Sequence, residues 1–289
     1  MDNRVCLITG ATEGVGRATA VQLAAQGVTV VLAARDANKA EALAREIATL
    51  TGNNTTEYVV GDLASLQQTR ALAERFKSRH SRLDVLINNA GVFLPKRTVT
   101  GDGFETTFQV NYLSHVLLTQ LLLETLEQSA QGRIINLSSS VYSGARFDPT
   151  NLQSEHKFSV FGTYAASKLL VLMFTEELAA RLAGTRVTAN AMHPGIVRTR
   201  MMLKAPGAFR IISYLWLPFS ISPHKGARTA VHLATSPDLA RVSGHYFTRS
   251  RQTATKNKFD TPENRALLWR LTMQTLNLND AASTASGAS

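Results

Sequence analysis

Several classes of protein are excluded by what this sequence lacks. It has one cysteine in 289 residues. A lone cysteine cannot staple a fold, and Cys6 sits in the apolar run Val5-Cys6-Leu7-Ile8, where it reads as a small buried hydrophobe. A cytoplasmic, reducing setting is the expectation. There is no secretory pattern, because Met1-Asp2-Asn3 runs straight into a strand-like segment without a basic start or an apolar core. No uninterrupted apolar stretch approaches the ~20 residues that span a bilayer. The nearest, Phe209 to Ile221, is broken by Arg210, Ser213, Pro218 and Ser220. The seven histidines show no metal-ligand spacing, and cysteine partners are lacking, so no metal site is expected. His115 and His193 read as structural. The net charge of +10 is scattered over the chain rather than clustered, and no nucleic-acid motif accompanies it. The excess base suits a phosphate-rich ligand.

Apolar residues make up 44% of the chain, enough for a sizeable core. Short β-branched runs occur at Arg4–Thr9, Val28–Ala34, Tyr58–Gly61, Val85–Asn88, Arg133–Ser138 and Val187–Met192. Several are apolar at successive positions, as strands buried on both faces are. Helical patterns fill the gaps, at Gly16–Gln26, Lys39–Leu50, Leu66–Arg79, Thr107–Glu127 and Tyr164–Leu182. The alternation predicts a parallel sheet with helices on both faces. Gly244 to Thr248 reads as a last, edge strand, and residues 280–289 as a mobile tail.

The first strand runs into Thr9-Gly10-Ala11-Thr12-Glu13-Gly14-Val15-Gly16. Glycines at 10, 14 and 16 allow a tight turn and close approach of a pyrophosphate to backbone N–H groups, and the helix start adds orphan donors and a positive dipole end. Glycines that only turn the chain fit the same pattern, and the spacing is not that of the general dinucleotide fingerprint. The second strand ends in Ala34-Arg35, where an NAD site usually carries an acid for the ribose hydroxyls. A guanidinium there suits a 2′-phosphate, which favours NADP(H), with NAD(H) second. Asp36 and Glu13 add competing negative charge, and Arg17 and Lys39 stand near enough in sequence to offset it.

Tyr164 and Lys168 are four apart and share a helix face. A phenol normally titrates near 10; a nearby ammonium is expected to lower that and tune it for acid–base work. Upstream, Asn136-Leu137-Ser138-Ser139-Ser140 follows a strand, so its hydroxyls face the ligand crevice of an open sheet. Each signal alone is weak.

Together they are specific. In order, Thr9-Gly10-x-x-x-Gly14-x-Gly16, Asp62-Leu63, Asn88-Asn89-Ala90-Gly91, Asn111, Asn136-x-Ser138-Ser139, Tyr164-x-x-x-Lys168 and His193-Pro194-Gly195 resemble the short-chain dehydrogenase/reductase pattern over roughly residues 4–278. The resemblance implies a single Rossmann-like doubly wound domain over residues 1–279, with a mostly parallel seven-stranded sheet. It also implies a catalytic tetrad. Tyr164 would be the acid/base, and Lys168 would lower its pKa and hold the nicotinamide ribose. Ser139, with Ser138 as alternate, would polarise the substrate oxygen. Asn111 would hold a water joining Lys168 to solvent. Gly10, Thr12, Glu13, Gly14, Val15 and Gly16 would form the phosphate turn. Asp62 and Leu63 would border the adenine, Asn89, Ala90 and Gly91 would line the cleft, and Pro194, Gly195, Val197 and Thr199 would flank the nicotinamide. Phe147-Asp148-Pro149-Thr150-Asn151-Leu152, Ile221-Ser222-Pro223-x-x-Gly226-Ala227, Gly244-x-Tyr246-Phe247 and Leu268-Trp269 are similar to the retinol-dehydrogenase and WW-domain-oxidoreductase branch. Neither a membrane anchor nor a WW module is expected ahead of the domain.

The segment of about 197–222 reads as a lid. Its methionines and aromatics, from Met201 to Ile221, suit an apolar wall for a lipophilic carbonyl or alcohol. Packing of Phe209, Ile212, Leu215 and Trp216 onto the core, or shallow docking on a membrane surface, fits the same residues. A carbonyl reductase or alcohol dehydrogenase is the leading expectation, with homo-oligomers in its range. A cofactor-binding regulatory or scaffold protein on the same fold is the alternative, and an isomerase or epimerase that retains NAD is a third.

Overall fold

The computed structural model describes residues 4–198, 217 and 220–278. Eight strands form one sheet: β1 (Val5–Thr9), β2 (Thr29–Ala34), β3 (Glu57–Val60), β4 (Val85–Asn88), β5 (Gly132–Leu137), β6 (Val187–His193), β7 (Tyr246–Thr248) and β8 (Arg251–Thr253). Their order is β3-β2-β1-β4-β5-β6-β7-β8. All neighbours are parallel except β7 and β8. The order reverses between β1 and β4, the switch point beside which open α/β sheets hold ligands.

The expected seven strands are therefore eight. Tyr246, not Gly244, opens β7, and β8 takes the edge by pairing antiparallel in the register Tyr246↔Thr253 and Thr248↔Arg251. Three exposed polar residues give no periodic signal. The turn before them uses Arg249 and Ser250 at φ of 51° and 61°, without the glycine or asparagine that marks such a hairpin.

The helices are α1 (Gly14–Ala24), α2 (Ala37–Thr51), α3 (Leu66–Lys77), α4 (Ser114–Glu127), α5 (Val160–Arg181), α6 (Pro223–Thr235) and α7 (Pro262–Leu276). Alternate strand residues feed two cores. Leu7 and Val31 face one that includes Leu72, Leu117 and Phe174; Cys6, Ile8, Val30 and Leu32 face another with Leu23, Ile47 and Ala230. Burial of both faces explains the near-continuous apolar strands.

Two helices differ from expectation. The Thr107–Glu127 pattern is interrupted by a π-helical turn at Gln109–Leu113, whose centre is Asn111. α5 starts at Val160, capped by the Ser159 hydroxyl on Gly162 N–H, so Tyr164 lies in its second turn. α7 closes the outer face of α5. Trp269 stacks on Phe174 at 5.8 Å, Arg265 pairs with Glu176 at 2.5 Å and with Asp260 at 2.6 Å, and the Thr272 hydroxyl meets that of Tyr112 at 2.7 Å. Among the described residues no helix is long and apolar enough to cross a membrane.

Candidate active site

The expected site residues gather along the carboxyl ends of the parallel strands. Gly10 to Gly16 follow β1, Arg35 follows β2, Asp62 and Leu63 follow β3, and Asn89 to Gly91 follow β4. Ser138 and Ser139 follow β5, and Pro194, Gly195 and Val197 follow β6. Thr199 and most of the expected lid lie outside the described residues, as does the 280–289 tail. The two ends of the lid segment are stitched together: Arg198 N–H donates to Ile221 O at 3.0 Å, and Ile221 N–H to Ile196 O at 2.8 Å.

The glycine turn fits a dinucleotide pyrophosphate. Gly10 and Gly14 adopt φ of 62° and 58°, which L side chains resist. At Gly16 an added Cβ would overlap Gly10 O and Asn89 Nδ2. Asn89 Nδ2 braces the turn from β4 by donating to Thr9 O at 2.7 Å and Gly10 O at 3.1 Å. α2, α3, α5, α6 and α7 each have a side chain capping the N-terminus; Glu13 at the start of α1 makes no such bond. The orphan N–H groups of α1 thus remain for an anion.

At the end of β2, Arg35 is exposed, and its acidic neighbours are engaged. Asp36 caps α2, accepting from Lys39 N–H at 3.1 Å, and Lys39 Nζ lies 3.5 Å from Glu13. Arg17 pairs with Glu46. After β3, Asp62 Oδ1 accepts from Ala64 N–H at 2.9 Å, and Leu63 O accepts from the Ser114 hydroxyl at 2.6 Å.

Asn111, Tyr164 and Lys168 come together over β4 and β5. In the π turn, Asn111 Oδ1 accepts from Val92 N–H at 2.7 Å, and Nδ2 donates to Val92 O and the Ser167 hydroxyl, both at 3.1 Å. The second lone pair on Oδ1 can still take a water. A Cβ on Gly91 would lie 3.4 Å from Asn111 Oδ1 and 3.7 Å from Lys168 Nζ, ordinary contact distances that place Gly91 at the border of this junction. Lys168 is buried, donates to Leu137 O at 2.9 Å and stands 5.6 Å from the centre of the Tyr164 ring. Burial pushes its pKa down to about 8.

The Tyr164 hydroxyl departs from expectation. Burial pushes it up to about 12, and Lys168 does not offset this. The ammonium faces the ring and the Leu137 carbonyl, while the phenol loses water that would solvate a phenolate. Tyr164 is therefore protonated at neutral pH.

The two serines separate cleanly. Ser138 is buried and donates to Lys168 O at 2.7 Å, fixing β5 to α5. Ser139 is half-buried, and neither its hydroxyl nor that of Tyr164 has a hydrogen-bond partner among the described residues. Phe93 sets its ring edge-on to Tyr164 at 5.2 Å, a contact that no spacing rule connects. Ser167, Thr9 and His115 also join the site. Thr9 opens the glycine motif, Ser167 adjoins Lys168, and His115 is four residues beyond Asn111, the spacing that could have flagged it.

A family model described as short chain dehydrogenase matches residues 4–207. The chain belongs to the short-chain dehydrogenase family. Within it, this dehydrogenase is similar to mouse retinol dehydrogenase 12, 39% identical over 278 residues, which cover 95% of this chain and 87% of the relative. Mouse retinol dehydrogenase 14 is 43% identical, covering 86% and 78%. The retinol dehydrogenase branch expected from the motifs is thus the right one. A crystal structure from Mycobacterium paratuberculosis superposes with a TM-score of 0.77 at 30% identity, covering 96% of this chain and 95% of that one. An Escherichia coli short chain dehydrogenase complexed with NADPH gives 0.68 at 26%, covering 87% and 98%. This short-chain dehydrogenase is an NAD(P)-dependent oxidoreductase.

Proposed function

We propose that this dehydrogenase uses NADP(H) to interconvert a lipophilic carbonyl compound and its alcohol, with Tyr164 as general acid/base. The observation that carries the proposal is the pair of uncommitted hydroxyls. Ser138, Asn111 and Lys168 are held by the protein, whereas Tyr164 and Ser139 are left for a substrate oxygen. When bound, the nicotinamide gives or takes the hydride. In reduction, Ser139 holds the carbonyl oxygen and Tyr164 delivers its proton there as the C–H bond forms. Lys168 holds the nicotinamide ribose and, with a water on Asn111, resupplies the proton. In oxidation the same groups run in reverse.

Support for NADP(H) comes from Arg35 beyond β2, from Ala34 at the position of the usual acid, and from Asp36 and Glu13 being engaged elsewhere. NAD(H) is the weaker cofactor in this reading. Gly10, Thr12, Glu13, Gly14, Val15, Gly16, Asp62, Leu63, Asn89, Ala90, Gly91, Pro194, Gly195, Val197 and Thr199 complete the cofactor set. An apolar substrate suits Phe93 on the Tyr164 ring and the exposed Phe161 and Ile196 near the ends of α5 and β6. The names of the relatives point to retinoid-like alcohols. We assign the protein to the cytoplasm, with peripheral membrane contact through the 197–222 segment.

The test is loss of NADPH absorbance with a panel of lipophilic aldehydes and ketones, retinal included. Tyr164→Phe should lose about 10²–10⁴-fold in turnover and keep its NADPH affinity. Near-parental turnover in that variant, on a substrate the parent reduces, rejects the assignment.

A further inference from the structure

One buried titratable group beside the site has no part in the chemistry described so far. His115, in the first turn of α4, is 4% exposed. Its Nδ1 is 3.2 Å from Asn111 O, and its Nε2 is 3.2 Å from the Thr9 hydroxyl. A carbonyl can only accept, so Nδ1 carries the proton. Burial, followed by the charge on Lys168, lowers the ring pKa to about 3, so the imidazole is neutral and Nε2 accepts. The Thr9 hydroxyl is then the donor, with the Ile87 carbonyl a more distant acceptor at 3.4 Å. The oxygen of that hydroxyl accepts from Asn89 N–H at 2.9 Å and Ala90 N–H at 3.0 Å. Only one direction of protons satisfies every member of this chain.

The chain adds a buried side-chain link between parts of the site that otherwise meet through the Asn89 amide on the turn and through Val92 on Asn111. Thr9 ends β1 and opens the glycine turn, and Asn89 and Ala90 follow β4. Asn111 stands in the π turn against Ser167, the neighbour of Lys168. We propose that His115 is a positioning residue that locks the dinucleotide-binding turn to the proton-handling side of the site through Asn111 and Thr9. With the ring removed, the Thr9 hydroxyl turns away, the Asn89 and Ala90 N–H groups lose their aligned acceptor, and the turn loosens its grip on the cofactor. The inference rests on the dinucleotide reading of the site.

The test uses the full-length protein, titrated with NADPH by fluorescence at fixed ionic strength, below the unfolding temperature of each variant. His115→Leu removes both polar contacts of the ring. His115→Gln supplies one donor and one acceptor on a planar amide. Thr9→Val keeps the shape of Thr9 and removes its hydroxyl. His115→Leu and Thr9→Val should each weaken NADPH roughly 10-fold or more, the range expected for stranding buried polar groups. The double variant should be no weaker than the worse single, because both break one chain. His115→Gln should recover to within about 3-fold of the parent. Parental affinity in His115→Leu or Thr9→Val overturns the proposal, as does additive loss in the double variant or no rescue by Gln. A fall in melting temperature with unchanged affinity also counts against it, since that is what a purely structural histidine gives. Should His115→Leu fail to fold, Thr9→Val and His115→Gln still decide. A parent that binds neither NADPH nor NADH sinks the dinucleotide reading itself, a different result from a parent that binds and a series that does not move.

Discussion

Gly16→Ala sets two effects of opposite sign against each other. Alanine in a helix is worth about 0.8–1.0 kcal/mol over glycine, and Gly16 has no left-handed φ to relieve. Against this, the methyl would overlap Gly10 O and Asn89 Nδ2. The carbonyl belongs to a turn fixed by Gly10 N–H on Ala33 O at 3.1 Å, so it cannot retreat freely. Overpacking of this kind costs about 1–3 kcal/mol. The Asn89 amide must yield as well, and it then gives up its bonds to Thr9 O and Gly10 O, each worth about 0.5–1.5 kcal/mol. The net loss is then about 1–5 kcal/mol after the helical gain. Gly144→Ala is the matched control, because an added Cβ there meets nothing within 4 Å. Urea unfolding should place Gly144→Ala at or above the parent and Gly16→Ala below it. NADPH titration of the folded proteins should show weakened binding only in Gly16→Ala. A Gly16→Ala protein as stable as Gly144→Ala, with parental affinity, would refute the close approach of β1, α1 and Asn89.

Arg35→Ala should weaken NADPH roughly 10- to 100-fold, the worth of about 1.5–3 kcal/mol for a hydrogen bond to a charged group, and leave NADH little changed. Equal losses for both cofactors in titrations at one ionic strength would reject the 2′-phosphate role. With the Lys168 pKa at about 8, the ammonium proposed to hold the ribose is lost as pH rises through that value, so NADPH affinity should fall there. In Lys168→Met binding should be weak and flat across the same range by fluorescence titration. Burial and Asp260 raise the Glu176 pKa to about 7 against an ordinary 4.5, so the folded state holds this proton more tightly than the unfolded chain. Its contribution is fully present below about 4.5 and is lost as pH rises toward 7. Melting temperatures between these limits should therefore decline less steeply in Glu176→Gln than in the parent.

Much of the fold is written in local pattern. Strands buried on both faces leave apolar runs such as Val30 to Ala34, and helix caps such as Asp36 and Ser65 stand at their starts. The glycine turn and the Tyr164–Lys168 pair are legible because one backbone turn or one helix face fixes their spacing. What escapes depends on partners distant in sequence. β8 exists because β7 offers it an edge, and its own residues are polar and exposed. The π turn at Asn111 is tied to Val92 and Ser167, 19 and 56 residues away. Ser138 and Ser139 are chemically identical, and only the Lys168 carbonyl tells them apart. The upward shift of Tyr164 is hidden from the sequence for a related reason. Helical spacing reveals that an ammonium is near, but not that it faces the ring while burial removes the water.

The seal that α7 forms over α5 has a consequence for synthesis. A chain leaves the ribosome from its amino end, and domains made this way fold as their parts emerge. The glycine turn and the first parallel strands need only early residues. Phe174, in the helix that bears Tyr164 and Lys168, waits for Trp269, and Glu176 waits for Arg265. Until about the last tenth of the chain is free, the nascent protein holds the parts of a cofactor turn beside a catalytic helix whose apolar back is bare. That interval is when a chaperone would find most to hold.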